Sequence, residues 1–264
     1  MWLNMNKAYY IPYAYFISTR LQRPEKIASW IVIYPLALAL ITFLNDANFK
    51  SWLSLLLGMT ATYNVYELGY LQNDVVTTQT EINPTLRLDK KKLEYIENHI
   101  KKVVLVRLLV STSILVLLYY ISEKSVIPYL TSLLLIIVTF LLYNSIRSIG
   151  NIPLHCILVT LRFCGPLTLI TLSSNWLFAA FLAFPLINTI ERSAELRFGI
   201  KFMQTWVLTN SGSGRWIYYM CLSTIYFVLA FSHIQPFSIS LIFFYFLVYR
   251  IMLDGLTRFW GSSL

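Results

Sequence analysis

The residues of this chain that could do chemistry gather in two short stretches. The first, Tyr63 to Arg87, reads YNVYELGYLQNDVVTTQTEINPTLR and carries Glu67, Asn73, Asp74, Thr77 and Glu81 before a break at Asn83-Pro84. Positions 67, 74 and 81 are seven apart, so on a helix they drift only about 20° per step and form one acidic stripe, with Tyr70 and Thr77 between them. A carboxylate near lipid costs roughly 2.5–3.5 kcal/mol on insertion scales unless it faces the interior, water or a partner. Mg²⁺ together with a phosphorylated ligand is one such partner, because the ion prefers carboxylate and amide oxygens and completes its shell with waters and phosphates. The plainer alternative is that Glu67 and Asp74 line a polar cavity or pair with nearby Lys and Arg.

The second stretch, Leu186-Ile187-Asn188-Thr189-Ile190-Glu191-Arg192-Ser193-Ala194-Glu195, is followed by Gly199 and Lys201. Asn188, Glu191 and Glu195 are three and four apart and share one helical face. Each stretch is thus an apolar run, then an amide and carboxylates on one face, then basic residues. Two such faces at the same end of separate helices can converge on one site. The alternative is a set of surface ion pairs, Glu191–Arg192 and Glu195–Arg197, worth at most about 1 kcal/mol each.

The elements that must position these faces are membrane helices. Of 264 residues, 57% are hydrophobic and 12% charged, and mean hydropathy is +0.63. Such a chain belongs with polytopic membrane proteins. The net charge of +9 lies between apolar runs, so it reads as membrane topology and no nucleic-acid partner is expected. No removable signal peptide is expected at the start. Cys156, Cys164 and Cys221 sit inside apolar runs without metal-ligand spacing and read as small core residues.

Apolar spans fall near 27–45, 52–72, 103–122, 126–146, 152–173, 175–190, 216–233 and 236–254, each close to the length of a spanning helix. The segment before them, through Lys26, mixes aromatics with Arg20 and Arg23 and reads as an interfacial helix. Asp89 to Lys102 reads as a separate surface helix with i,i+4 charge pairs. Cations crowd the loops after spans two, four and six, and little more than Lys50 and Lys124 stands after spans one, three, five and seven. The positive-inside rule therefore puts both termini and the basic loops in the cytoplasm. Arg162, within the fifth span, is an intramembrane charge and hence a functional candidate, or else the partner of Glu67 in a structural bridge. His155 in the same span reads as a buried, hydrogen-bonded histidine. Ser211 to Gly214 reads as a flexible linker, and the tryptophans near span ends as an interfacial belt.

In order and spacing the two stretches resemble the UbiA-type intramembrane prenyltransferases, whose signatures are NDxxDxxxD after the second span and DxxDxxxD after the sixth. Here they read Asn73-Asp74-x-x-Thr77-x-x-x-Glu81, with Asn83-Pro84 and Arg87 beyond, and Asn188-x-x-Glu191-x-x-x-Glu195, with Gly199 and Lys201 beyond. Arg23-Pro24 before the first span, and Tyr143-Asn144-Ser145 with Arg147 at the end of the fourth, agree with it. Thr77 and Asn188 stand where the family carries aspartate, and three positions hold Glu.

The resemblance implies one all-α, polytopic membrane bundle over residues 1–264, UbiA-like, with about eight or nine transmembrane helices in a bacterial inner (cytoplasmic) membrane. It implies Mg²⁺-dependent transfer of a prenyl group from a prenyl diphosphate to a lipid-soluble acceptor. Asp74, Glu81, Glu191 and Glu195 would hold Mg²⁺ and act in catalysis. Asn73, Arg87, Arg147, Asn188, Arg192 and Lys201 would contact the diphosphate. Phosphoribosyl transfer to a polyprenyl phosphate, terpene cyclisation and a non-catalytic scaffold of the same fold are the alternatives. A transporter suits the single-sided polar clusters less well.

Overall fold

Prolines and capping residues decide where the helices begin, bend and stop. In the computed structural model, which describes residues 5–45, 48–79, 85–146, 148–209 and 212–261, the described residues form helices, turns and loops with no strand. Helix α1, Pro24–Asn45, starts on Pro24, where a missing N–H is harmless. It passes through a π turn at Val32–Leu36, because Pro35 can neither donate to the helix nor fit beneath the preceding carbonyl. Asn48 opens α2, Phe49–Val75, by accepting from the Ser51 amide at 2.9 Å. Asp89 does the same for α3, Lys90–Ile121, at the Lys92 amide. Lys92 also holds the Asp89 carboxyl below its ordinary range.

Helix α4 is Ile127–Ser145. Helix α5, Asn151–Cys164, stops at Gly165-Pro166 and is extended by a 3₁₀ turn, Pro166–Leu169. Helix α6 runs from Ser174–Phe181 through a second proline-centred π turn, Leu182–Leu186, into Ile187–Ser193. A short helix, Lys201–Thr209, leads towards α7, Ser213–Phe231, and α8, Phe237–Gly261.

These eight long helices coincide with the eight expected apolar spans. Five of them, α1, α3, α4, α5 with its turn, and α8, are long and apolar enough to cross a membrane. Helix α2 gives up apolarity to Asn64, Glu67, Asn73 and Asp74. On the outside of the bundle, Leu105, Leu109 and Val116 of α3 and Leu134, Val138 and Leu141 of α4 are more than half exposed. Apolar surface on that scale suits lipid and not water.

Two expectations about local structure do not hold. Asp89 to Lys102 is no separate helix. It is the start of α3, since neither Gly nor Pro interrupts Lys90–Ile121. Nor does the N-terminal segment form one interfacial helix. It folds as two short helices, Met5–Ala8 and Ala14–Arg20, that tuck against the bundle and bury Tyr9 and Tyr15 completely.

A buried ion pair explains that tuck. Glu67 of α2 and Arg107 of α3 are both fully buried and meet at 2.7 Å. Glu67 Oε1 accepts the Phe16 amide at 2.5 Å. Arg107 donates from Nε to the Tyr9 carbonyl at 2.7 Å and from Nη1 to Asn64 Oδ1 at 3.1 Å. The pair thus satisfies backbone groups of the N-terminal segment that would otherwise be buried without partners. The chain reverses between the two short helices at Tyr13, whose φ of 67° is unusual for a bulky residue.

Removing one member of such a pair leaves the other charge stranded, which costs about 3–5 kcal/mol, whereas removing both with apolar residues is close to neutral. Arg107→Leu is therefore expected to lower the thermal unfolding temperature in detergent sharply, and Glu67→Leu combined with Arg107→Leu to recover most of it. The double variant is also expected to become sensitive to proteolysis between residues 9 and 20, since the tether is gone.

Candidate functional site

At the end of the bundle where α2, α4 and α6 finish and α3 and α5 begin, the chain encloses a cavity of about 440 Å³. Both sequence stretches reach it. Asn73 and Arg87 line it from the first, and Arg192, Glu195 and Arg197 from the second. Arg20 enters from the N-terminal segment, and Tyr70, Phe140, Tyr143 and Asn144 complete the wall. Phe140 is in place because α2 and α4 approach closely at Gly69, where any Cβ would collide with its ring.

Arginine dominates this cavity. Asp74 lies behind the wall, its side chain only 2% exposed, and its oxygens are occupied. Arg20 grips it with Nη1 on Oδ2 at 2.5 Å and Nη2 on Oδ1 at 2.9 Å. Tyr15 donates its hydroxyl to Oδ2 at 2.5 Å and Asn73 its amide to Oδ1 at 3.1 Å. Burial and the Asp74 charge push the Tyr15 hydroxyl far above its ordinary value, so it stays a proton donor. Burial alone would pull Arg20 down, but its bonds to Asp74 outweigh that and hold it above its usual value. The Arg20 guanidinium also stacks on Tyr70 at 4.2 Å.

The second acidic face is paired in the same way. Arg192 bonds Glu195 and the Tyr143 hydroxyl, and Arg197 meets Glu195 at 3.0 Å. Glu191 turns away to Arg215 at the start of α7, which holds both its oxygens. The alternative in which Glu191 and Glu195 pair with their sequence neighbours is thus seen at Glu195, while Glu191 makes a longer-range pair.

Of the expected Mg²⁺ ligands, the three among the described residues are consequently engaged elsewhere. Asp74, Glu191 and Glu195 each hold one or more guanidinium groups, and no cluster of three or more His, Cys, Asp or Glu suited to a metal exists among the described residues. A Mg²⁺ ion at Asp74 would have to displace Arg20, leaving a buried cation beside the incoming one. The described residues therefore do not fit the ion in this arrangement. Glu81 and Arg147 lie outside the described residues.

Of the expected diphosphate contacts, Asn73, Arg87 and Arg192 reach the cavity. Asn188 does not: its Oδ1 partners His155 Nε2 at 2.8 Å, as expected of a hydrogen-bonded buried histidine. Lys201 is exposed at the start of its short helix and does not line the cavity. Glu67, expected on the same acidic stripe, is committed to Arg107 and not to Arg162. The site residues that sequence reading passed over are Arg20, Tyr15, Arg107 and Arg215, and Arg197 reads in sequence only as a surface partner of Glu195. Arg107 interrupts an apolar run, the same signal that marks Arg162. The arginines of loops and the N-terminal segment look alike in sequence whether they face lipid headgroups or a site.

No family model, curated protein or solved structure matches the chain.

The cavity wall carries four guanidinium groups and one carboxylate, an excess of positive charge suited to a polyanion. Arg87 is the least committed, 31% exposed and 3.4 Å from Asp74. One charge-assisted hydrogen bond is worth about 1.5–3 kcal/mol, or roughly 10- to 100-fold in affinity. Calorimetric titration with inorganic pyrophosphate is expected to show at least tenfold weaker binding for Arg87→Gln and for Arg192→Gln. Lys201→Gln should stay within about twofold of the unaltered protein.

Proposed function

We propose that the chain transfers a prenyl group from a prenyl diphosphate to a lipid-soluble acceptor, seating the diphosphate in the arginine-lined cavity. One observation carries this reading: a cluster of cations stands over an aromatic floor that is packed against the apolar helical interior. Tyr70 and Phe140 lie 5.9 Å apart at the floor, and Tyr66, 4.6 Å from Phe140, continues the aromatic surface inward. A ligand with a polyanionic head and an unsaturated hydrocarbon tail matches both halves. All eight long helices would then be spans, with the basic end of the bundle in the cytoplasm by the positive-inside rule.

In this reading the guanidinium groups neutralise the charge that grows on the leaving group. The bond between the allylic carbon and the diphosphate oxygen breaks, and its electron pair leaves on the diphosphate. Arg192 and Arg197, held by Glu195, are fixed beforehand where that charge develops, which is the condition under which electrostatic stabilisation is effective, and Arg87 is free to turn onto the diphosphate. The rings of Tyr70, Phe140 and Tyr143 in the wall shield the allylic cation from water. The acceptor then closes the new bond, and the proton it loses passes to the departing diphosphate. Asp74 acts as a positioning residue for Arg20 and Tyr15, and Glu195 for Arg192 and Arg197. No step is routed through Mg²⁺, since the described carboxylates are held by arginine.

The same pairing supports a second reading, a non-catalytic protein that binds the diphosphate lipid without consuming it. Incubation of the detergent-solubilised protein with isotopically labelled geranylgeranyl diphosphate and total membrane lipid distinguishes the two. Transfer predicts a new prenylated lipid and released pyrophosphate, lost in Arg192→Gln. A binder predicts that the diphosphate is recovered intact, and release of free prenyl alcohol alone would also count against transfer.

A further inference from the structure

Arg162 of α5 takes no part in the cavity. It stands eleven residues after Asn151, about 16 Å along the helix axis. That is near the middle of a hydrocarbon core roughly 30 Å thick. Its guanidinium lies over the Tyr66 ring at 4.9 Å, and Tyr34 donates to its backbone carbonyl at 3.1 Å. Tyr34, Tyr63 and Tyr66 are all buried, and all three are electrostatic neighbours of Arg162. The cation therefore points into the bundle and not towards lipid.

No described carboxylate pairs with it. Glu67, the acid on the neighbouring stretch of α2, belongs to Arg107. The Arg162 Nε is buried and has no hydrogen-bond partner among the described residues. Yet the residue as a whole is only partly buried, so open space reaches its guanidinium amid fully packed tyrosines. An unpaired intramembrane cation is costly and marks a ligand or ion pathway by default. One face of the guanidinium is covered by Tyr66 and Nε is enclosed, while the two terminal amino groups are neither hydrogen-bonded nor fully enclosed among the described residues. The two terminal amino groups form an end-on fork that matches two oxygens of one anion.

His155 and Arg162 are seven apart and share a face of α5. The His155 ring lies 6.3 Å from that of Tyr143, which lines the cavity, and bonds Asn188 on its other side. We propose that Arg162 binds the oxyanion of a second, membrane-soluble ligand, a carboxylate or a phosphate monoester on a hydrocarbon chain. It holds that ligand in the interior of the bundle, apart from the diphosphate cavity.

The test uses purified full-length protein in an uncharged detergent, titrated with dodecanoate, dodecyl phosphate and dodecanol, with thermal stability as the readout. Arg162→Gln, Arg162→Lys and Arg87→Gln are measured beside the unaltered chain. The proposal predicts stabilisation by at least one of the two anions and none by the alcohol. The effective anion identifies the head group as carboxylate or phosphate. Arg162→Gln should need at least tenfold more of that anion, Arg162→Lys should fall between because it keeps the charge without the fork, and Arg87→Gln should leave the response unchanged. Without ligand, Arg162→Gln should be as stable as the unaltered chain or more so, because an unpaired charge has been removed. Equal stabilisation by dodecanol, a response retained in Arg162→Gln, one lost in Arg87→Gln, no response to either anion, or a ligand-free Arg162→Gln that unfolds well below the unaltered chain would each overturn it.

Discussion

Charges inside a low-dielectric bundle must be matched, and this protein depends on how that is done. Glu67 and Arg107 meet at 2.7 Å with neither side chain exposed. Their remaining hydrogen-bonding capacity is spread over Phe16, Tyr9 and Asn64. A pair buried this deeply is weak evidence for stability but strong evidence for a unique arrangement, because either charge alone is intolerable. Here it fixes the N-terminal segment against α2 and α3. That placement in turn brings Tyr15 and Arg20 to Asp74 and completes one wall of the cavity.

The same constraint sets the sign of the cavity. Acids on two helix faces look in sequence like a cation site. In the folded chain Asp74 lies behind the arginine that it holds, and Glu195 stands in the wall between Arg192 and Arg197. Asp74 orients Arg20, and Glu195 orients Arg192 and Arg197. A carboxylate behind a guanidinium lowers its mobility and leaves the face of the site positive, which suits recognition of a phosphorylated head group.

Sequence pattern recovered the eight long helices because apolar length is a one-dimensional property and lipid exposure enforces it. It also placed the two polar faces at the same end of the bundle, through the alternation of cations between spans. Pairing was not legible. Glu67 has Arg107 and Arg162 as candidates in separate apolar runs, and nothing local separates them. The choice follows from α2 packing directly against α3. Arg20 escaped notice because an arginine among aromatics near a terminus has the composition of an interfacial helix. Its burial depends on a contact 54 residues away. Asn188 and Lys201 sat at the right spacing yet miss the cavity, Asn188 because it faces His155 of α5 and Lys201 because α6 ends at Ser193 and the chain turns through Gly199 at a φ of 66°.

The central claim is that arginine, and not a carboxylate-held divalent ion, neutralises the ligand. The most direct measurement is the dissociation constant of farnesyl thiodiphosphate, an analogue that binds without ready ionisation, determined calorimetrically in excess EDTA and again in excess Mg²⁺. Binding in EDTA within a few-fold of that in Mg²⁺ is the predicted result. Binding that appears only when Mg²⁺ is added would contradict the account and return Asp74, Glu191 and Glu195 to the role of metal ligands.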